Sequence, residues 1–476
     1  MAVRITIIGG GPGGYTAAVR AAQSGSEVTL IEENKVGGTC LNRGCIPSKM
    51  MKKTAEIIED IQRAREFGLK IDGKVTQDMP LLMERKQRII QNQIKWILAL
   101  LEKHGVRYLQ GHGFIKGPKL AAVRQEDGKE LEVPYDALIL ASGSEPLNMQ
   151  ELPFDGTRII SSTDALNLQE IPGSMLVVGS GAVGCEFAFV FSSFGTKVTV
   201  VEALPRILPM PSVDEDLSRV LQREMKKRKI EFHLSHVVQK AEVNPDSLKV
   251  SIVPFSSTRD KSVEIDGNIE TQADCILVCT GRSPNSSGIG LDVIGVEMDE
   301  KGWIIADDSM RTSVPDVYAI GDILGPSRVM LAHVASTEGL VAAENAVGNS
   351  RLMDYSAVPG AIYTMPEVAC VGLTENQARQ NGYEIRSDSV LFRTLGKSQV
   401  TGEIAGQLKL VSEVGSGRIL GVHIIGPNAT ELISEGTLAL KKGCTVNDLA
   451  ETIHAHPTLS EIFLESSLKA LDRPMQ

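Results

Sequence analysis

Arg4-Ile5-Thr6-Ile7-Ile8-Gly9-Gly10-Gly11-Pro12-Gly13-Gly14 runs from an apolar strand straight into a glycine turn. An apolar helical stretch over residues 15–22 follows, and a second strand over 28–31 ends in Glu32. This is the pattern of a βαβ unit. It returns 170 residues later, where residues 175–178 lead into Gly179-Ser180-Gly181-Ala182-Val183-Gly184 and a strand over 198–201 ends in Glu202. Gly9, Gly14 and Glu32 thus map onto Gly179, Gly184 and Glu202 with a single offset. In such a turn the first glycine permits the tight bend and the second, Gly11 or Gly181, lets the backbone approach a pyrophosphate. The third packs the helix on the sheet, and the acid takes up ribose hydroxyls. One glycine pattern is weak evidence, but each copy here has its strand, helix and terminal acid, so two dinucleotide-binding domains are expected. An acid at Glu202 would repel a 2′-phosphate, which favours NAD over NADP, although Arg206 four residues on leaves a basic group nearby.

The chain has 476 residues, enough for roughly three domains at about 150 residues each. Forty-five glycines in a chain that is 42% hydrophobic suit an α/β protein with many tight turns. Aromatic residues make up only 4%, which argues against base-stacking platforms and hence against nucleic acid. The net charge of -10 likewise disfavours a polyanion and suggests solubility or an acidic patch facing a basic partner. No apolar run approaches the ~20 residues of a membrane span; the candidate near Trp96 to Leu101 is flanked by Lys95 and Glu102. The first strand starts almost at the N-terminus, which leaves no signal or transit peptide in the sequence as written and leads us to expect a cytoplasmic protein.

Further landmarks divide the chain. A buried strand over 137–141 runs into Ser142-Gly143-Ser144, and a proline-bearing connection over 146–153 follows, which puts the first boundary near Leu147. Residues 276–279 run into Thr280-Gly281-Arg282 in the same way and close the second unit. Val317-Tyr318-Ala319-Ile320-Gly321-Asp322 is a short strand ending in an acid, with a helical stretch over 332–347 beyond it. After Tyr355, strands over 384–392, 407–411 and 419–425 precede helices, the order of a separate α+β domain. The expected domains are therefore 1–147, 148–278, 279–352 and 353–476. The polar segment 254–273 reads as a hairpin loop without function.

Of seven cysteines, Cys185, Cys275, Cys279, Cys370 and Cys444 stand apart in apolar or helical settings and read as core thiols. Cys40 and Cys45 differ. They lie in Gly37-Gly38-Thr39-Cys40-Leu41-Asn42-Arg43-Gly44-Cys45-Ile46-Pro47-Ser48-Lys49, just beyond the first βαβ unit. In an ideal helix five residues separate α-carbons by about 7.5 Å along the axis, beyond the roughly 6.8 Å limit for a disulfide. The pair can bridge only if Cys40 sits in an irregular first turn, which Gly37, Gly38 and Gly44 would permit. A helix N-terminus there would also lower the thiolate pKa. A zinc half-site lacks its second cysteine pair, and a passive disulfide would close too small a loop to stabilise much. A redox pair is the better reading. Lys49, one turn beyond Cys45, is either an exposed helix lysine or an ammonium near a thiolate or a reduced cofactor.

His454-Ala455-His456-Pro457-Thr458-Leu459-Ser460-Glu461 carries two readings. Thr458 and Glu461 have the spacing of a capping box, which would make this a helix start with two surface histidines. Alternatively, His456 is an acid/base for a thiol and Glu461 orients its ring. His454 has no evident orienting partner in the sequence and reads as structural.

These residues together resemble the flavin-dependent pyridine nucleotide-disulfide oxidoreductases, and within them the dihydrolipoamide dehydrogenases. The strongest local matches are Gly37 to Lys49, Gly179 to Glu186, Val317 to Asp322, Tyr363-Thr364-Met365-Pro366-Glu367-Val368-Ala369 and His454 to Glu461. The resemblance implies an α/β protein with two Rossmann-like dinucleotide-binding domains and a C-terminal α+β dimerisation domain. It implies FAD on the first unit, with Glu32 at the adenosine ribose, Lys49 beside the flavin and paired with Glu186, and Asp322 near the ribityl-phosphate region. NAD would lie on Gly179, Gly181, Gly184 and Glu202. Thr39, Gly113, Ser142, Gly143, Ala332, Val237 and Gly281 complete the cofactor-binding residues that it implies, and no metal is expected. Cys40 would be the thiol attacked by substrate and Cys45 the thiol facing the flavin. His456 and Glu461 would serve the partner subunit's disulfide in a homodimer. The implied partner is a lipoyl-bearing protein, the core of a 2-oxoacid dehydrogenase complex or the glycine cleavage carrier.

Rivals differ at readable places. A glutathione reductase-like chain would usually carry basic residues near position 202 and a lysine at Ser48. A mercuric reductase-like chain would end in paired cysteines, and a soluble transhydrogenase would lack the Cys40–Cys45 pair. A related NAD(P)H-dependent reductase of another small disulfide is the alternative. Glu33 and Val334 stand where the dehydrogenases commonly have lysine. A scaffold protein that binds both nucleotides without turnover would have no use for Cys40, Cys45, Lys49, Glu186, His456 and Glu461 together.

Overall fold

The computed structural model describes residues 2–73, 75–244, 247–255 and 267–475. The chain folds as two compact units. The first contains Met1–Met50, Asp78–Leu147 and Gly281–Asp354, and the second Met51–Gln77, Asn148–Thr280 and Tyr355–Gln476.

The first unit is built on a five-stranded parallel sheet in the order Val317–Ala319, Ala137–Leu140, Arg4–Ile8, Glu27–Glu32, Arg107–Gln110. Strands covered on both faces need apolar residues in unbroken runs, which is why Ala137–Leu140 shows no alternation and is buried throughout. Helix Pro12–Gln23 buries Ala17, Ala18 and Ala21 and lies against helix Ala332–Ala346. Small residues set that approach: a Cβ on Gly13 would stand 3.0 Å from the Ala335 carbonyl oxygen. A three-stranded antiparallel sheet, His112–Gly117, Leu120–Arg124 and Glu130–Pro134, completes this unit together with the pair Ser144–Pro146 and Arg282–Pro284.

The second unit repeats the parallel design in the order Glu231–Leu234, Lys197–Glu202, Ser174–Val178, Cys275–Val278, Ile159–Ile160. Strands His236–Val243, Leu248–Pro254 and Ile269–Ala273 form an antiparallel sheet beside it. Of the loop expected over 254–273, residues 256–266 lie outside the described residues, and the rest ends one strand and supplies the next. The C-terminal part is an antiparallel sheet ordered Gly360–Ile362, Glu367–Gly372, Ile419–Gly426, Gln407–Glu413, Ile385–Leu391. Its core includes Phe392, Leu408, Val422, Ile424, Ile433 and Phe463.

Within this unit the Lys409 side chain is 5% exposed, with Nζ 3.0 Å from Asp214 Oδ1, 2.7 Å from Asp216 Oδ2 and 2.8 Å from Glu375 Oε2. Three N–H donors thus meet three carboxylates, the condition under which a buried ammonium is tolerated. Asp214 also caps helix Glu215–Lys227. The hydrogen bond from Lys409 holds the Glu375 carboxyl down at about 2. A depressed carboxyl stabilises the fold above its unfolded value near 4.5, and that contribution is lost as pH falls toward 2. Glu375→Gln should therefore melt below the parent at pH 7, with the gap closing at pH 3; a gap independent of pH would show that Glu375 contributes no charge to the cluster.

Candidate active site

The two glycine turns agree atom for atom. Gly9 and Gly179 adopt φ of 109° and 96°, in the region that glycine tolerates. Their N–H groups donate to Ile31 and Val201 carbonyls, both at 2.8 Å. Glu32 Oε2 accepts from Gly10 N at 2.6 Å and Oε1 from Asn34 N at 2.8 Å. Glu202 Oε2 accepts from Ser180 N at 2.7 Å and Oε1 from Leu204 N at 2.8 Å. Each acid is therefore first a fastening of its own turn, a role that sequence reasoning missed. Both Glu32 oxygens and Glu202 Oε1 retain a further lone pair for a ribose hydroxyl, whereas Glu202 Oε2 also accepts from Ser180 Oγ at 2.9 Å. Burial pushes the Glu32 carboxyl above its ordinary value.

The backbone at both turns leaves room for a ligand. A Cβ on Gly181 would meet nothing within 4 Å, and one on Gly11 would find only the Gly38 α-carbon at 3.9 Å, whereas Gly14 and Gly184 are packed against the carbonyls of Gly9 and Gly179. In the first unit a cavity of about 870 Å³ is lined by Glu32, Lys35, Asn42, Arg43 and His112, among others. That volume is in the range of cofactor sites. The buried Asn42 Oδ1 and Ser142 Oγ have no hydrogen-bond partner among the described residues. Gly143, at φ 72°, has open space beside it. Orphaned acceptors and donors of this kind, beside open glycine backbone, fit a polar dinucleotide. Arg206 is occupied within the second unit, donating to Ser218 Oγ at 2.7 Å and Met210 O at 2.9 Å.

Cys40 and Cys45 stand at a junction of two helices. Helix Gly38–Arg43 starts after Gly37, at φ 97°, and ends at Gly44; helix Cys45–Gln62 begins with Cys45 itself. The backbone is irregular at Gly44 and also in the first turn that carries Cys40, where Gly38 adopts φ 56°. A Cβ on Gly44 would stand 2.9 Å from the Thr39 carbonyl oxygen, so glycine lets the chain fold back against the preceding turn. The fold-back brings the side chain and the backbone N–H of Cys45 onto the Cys40 sulfur. Both residues are thiols in this structure.

The expected lowering of the Cys40 thiol is overturned. Its hydrogen bond to the Cys45 side chain raises it most, burial and the Cys45 charge add to that, and Lys49 and the Cys45 N–H only partly oppose them. Once one thiol of the pair ionises, the other keeps its proton. Of the five remaining cysteines, Cys185, Cys275 and Cys370 are buried, and Cys279 and Cys444 are partly exposed.

Around the junction the first unit places a polar cluster. Lys49 Nζ donates to Ser48 Oγ at 3.3 Å. Asp322 Oδ2 accepts from Ser144 Oγ at 2.7 Å and lies 3.5 Å from Arg282 Nε. Arg282 also donates to Ser144 Oγ at 2.6 Å and to Ser144 O at 2.7 Å. Burial lowers its guanidinium pKa most, Asp322 opposes it, Arg43 adds to the lowering, and Glu145 and Cys45 oppose it more weakly. Sequence reasoning used Arg282 only as a landmark; the strand-then-glycine motif before it was the available signal.

Other expected residues are placed as follows. Thr39 lies in the helix before the junction, and Gly113 is in strand His112–Gly117, where a Cβ would stand 2.9 Å from Ile31 Cγ2. Ala332 opens its helix, Val237 lies in strand His236–Val243, and the Gly281 carbonyl accepts from Leu147 N at 3.0 Å. Glu186, in helix Ala182–Ser193 of the second unit, accepts from Tyr363 N at 2.9 Å.

His456, also in the second unit, has Nδ1 2.8 Å from Glu461 Oε1, and its ring is 77% exposed. The capping box expected here is absent. The helix starts two residues later, at Glu461 with Ser460 as N-cap, and Thr458 Oγ1 donates to Ala455 O instead. Glu461 Oε2 nevertheless accepts from Thr458 N at 2.9 Å, which fixes the carboxylate that orients His456. His454 also has an orienting partner, Glu435, contrary to the sequence reading.

A thiol pair at a helix junction, in a chain that carries two dinucleotide folds, defines a nucleotide-linked disulfide oxidoreductase. Comparison with known proteins agrees. Residues 3–339 match the pyridine nucleotide-disulphide oxidoreductase family and residues 358–467 its dimerisation domain, and the chain belongs to that family. It is 41% identical over 471 residues to the dihydrolipoyl dehydrogenase of Chlamydia muridarum, covering 98% of this chain and 97% of that one. It is 37% identical over 469 residues to the dihydrolipoyl dehydrogenase of Bacillus subtilis, covering 98% of each. Among solved structures it is similar to LpdA from Mycobacterium tuberculosis, with a TM-score of 0.89 at 26% identity over 98% of this chain and all of that one. The protein is a flavin-dependent disulfide oxidoreductase, of a family that uses FAD and NAD(H). No helix among the described residues is long and apolar enough to cross a membrane.

Proposed function

We propose that this chain oxidises protein-bound dihydrolipoyl groups to lipoyl groups, as a dihydrolipoyl dehydrogenase working in the cytoplasm. The observation that carries the reading is the Gly44 fold-back, which sets Cys45 against the Cys40 sulfur at the start of a helix. In the oxidised pair, a dihydrolipoyl thiolate attacks Cys40, the Cys40–Cys45 bond breaks and Cys45 leaves as a thiolate. The second substrate thiol gives its proton to His456 and displaces Cys40, which closes the lipoyl ring. Glu461 holds the His456 ring for that transfer. Bound FAD and NAD+ supply the route for the two electrons that the reduced pair then carries.

The roles follow four segments: 1–147 for FAD, 148–278 for NAD, 279–352 completing the FAD site and 353–476 for association of two copies. Gly9, Gly11, Gly14, Glu32, Lys49, Ser142, Gly143 and Asp322 serve FAD; Gly179, Gly181, Gly184 and Glu202 serve NAD. A homodimer accounts for an exposed His456, because each base would act on the other subunit's thiols. The partner is a lipoyl-bearing protein supplied in trans.

Anaerobic titration of the holoprotein with dihydrolipoamide tests the reading. A two-electron species with long-wavelength absorbance should form and be discharged by NAD+ as NADH accumulates. Reduction by NADH without any response to dihydrolipoamide would overturn it in favour of a reductase of another small disulfide. His456→Gln is expected to slow dihydrolipoamide oxidation by about 100-fold, the loss typical of a general base; a near-normal rate would remove His456 from the mechanism.

A further inference from the structure

The His454 ring is pinned at both nitrogens. Nδ1 lies 2.9 Å from the Thr452 carbonyl oxygen and Nε2 2.8 Å from Glu435 Oε1, and the side chain is 4% exposed. A carbonyl oxygen can only accept, and so can an ionised carboxylate; a neutral imidazole has one N–H and could satisfy only one of them. The doubly protonated ring satisfies both. His454 is thus fastened at both ring nitrogens and sealed from solvent, two residues from the exposed ring of His456.

Residues 452–460 form no helix or strand, so no backbone ladder fixes His456. Side chains do that work. Thr452 Oγ1 donates to Asp448 O at 2.7 Å, His454 ties the segment to Glu435 on helix Ala429–Lys441, and Glu461 holds Thr458 N. The acids bonded to the two rings are Glu435 on that helix and Glu461 at the start of helix Glu461–Ala470, where Glu465 lies one turn on. Burial raises Glu465, with the Glu461 charge adding to the effect. Burial opposes ionisation of Glu461, but Thr458 N–H, His456 and the charge of His454 together hold its carboxyl below the usual value. The field of His454 thus reaches the carboxylate that orients the base.

We propose that His454 and Glu435 form a positioning pair for the base, clamping the segment that carries His456. The proposal rests on His456 being the base. Its geometry assigns a function to a histidine that touches neither thiol nor cofactor.

The test is stopped-flow reduction of the flavin by dihydrolipoamide, followed against pH in holoprotein carrying His454→Gln, Glu435→Gln or both. Each single variant should slow reduction about tenfold through misplacement of the base, with the KM for NAD+ unchanged. The double variant should be no slower than the slower single, as for two groups acting as one unit. Losses that multiply in the double variant, or a slower rate accompanied by a raised KM for NAD+, would overturn the pair. Glu435 lies outside the sealed ring, so its variant keeps the test open if His454→Gln folds poorly. His456→Gln runs alongside: if it is slow while both single variants react normally, only the positioning pair fails, whereas a normal rate for His456→Gln removes the base and the pair together.

Discussion

Cys45→Ser is expected to abolish dihydrolipoamide oxidation, a loss of at least about 1,000-fold, while FAD stays bound; Cys40→Ser should do the same. A serine hydroxyl cannot form the disulfide, so no exchange with a substrate thiol can begin. The two variants should nevertheless differ. In Cys45→Ser the Cys40 thiol loses the side-chain partner that most strongly retains its proton, while the helix N-terminus and Lys49 remain. Its alkylation should therefore inflect at lower pH than that of Cys40 in the reduced parent. Loss of flavin from both variants, read from the visible spectrum, would instead make the pair a structural fastening. An unchanged inflection would mean that the Cys45 side chain does not govern Cys40.

Lys409→Met should destabilise the protein by about 3–5 kcal/mol, the cost typical of removing one partner from a buried ionic cluster. Asp214, Asp216 and Glu375 all point at the one ammonium. Without it, three carboxylates face each other around an apolar methionine, and the cap of helix Glu215–Lys227 loses an anchor. Thermal unfolding at pH 7 checks this; a melting point within a degree of the parent would show that water, not Lys409, satisfies those acids. His423, opposite Lys409 on the adjacent strand, would be exposed to the same field. Burial lowers its pKa.

What could be read in the sequence was local. The glycine turns were legible because an αL glycine, a close-packed glycine and an acid must stand at fixed offsets, and the apolar runs beside them place the parallel strands. The cysteine pair was legible as chemistry, but not the device that brings it together: Gly44 has no left-handed backbone and matters only because it folds back on Thr39. Thr458 and Glu461 had capping-box spacing, yet a helix start two residues later gave Glu461 a different use. Contacts between distant positions left no pattern to read. Glu435 stands 19 residues before His454, and Lys409 meets Asp214 across 195 residues. Arg282 gathers Ser144 from a strand and Asp322 from a helical turn in the same way.

The duplicated acids bear on any attempt to change the nucleotide that this protein accepts. Admitting a 2′-phosphate calls for replacing Glu202, yet Glu202 is the acceptor for Ser180 N, Ser180 Oγ and Leu204 N. On the proposed placing of NAD at Glu202, coenzyme preference and turn integrity share one carboxylate. A redesign that swaps only the charge would leave three donors orphaned, and a successful one must supply a replacement acceptor before it supplies a cation.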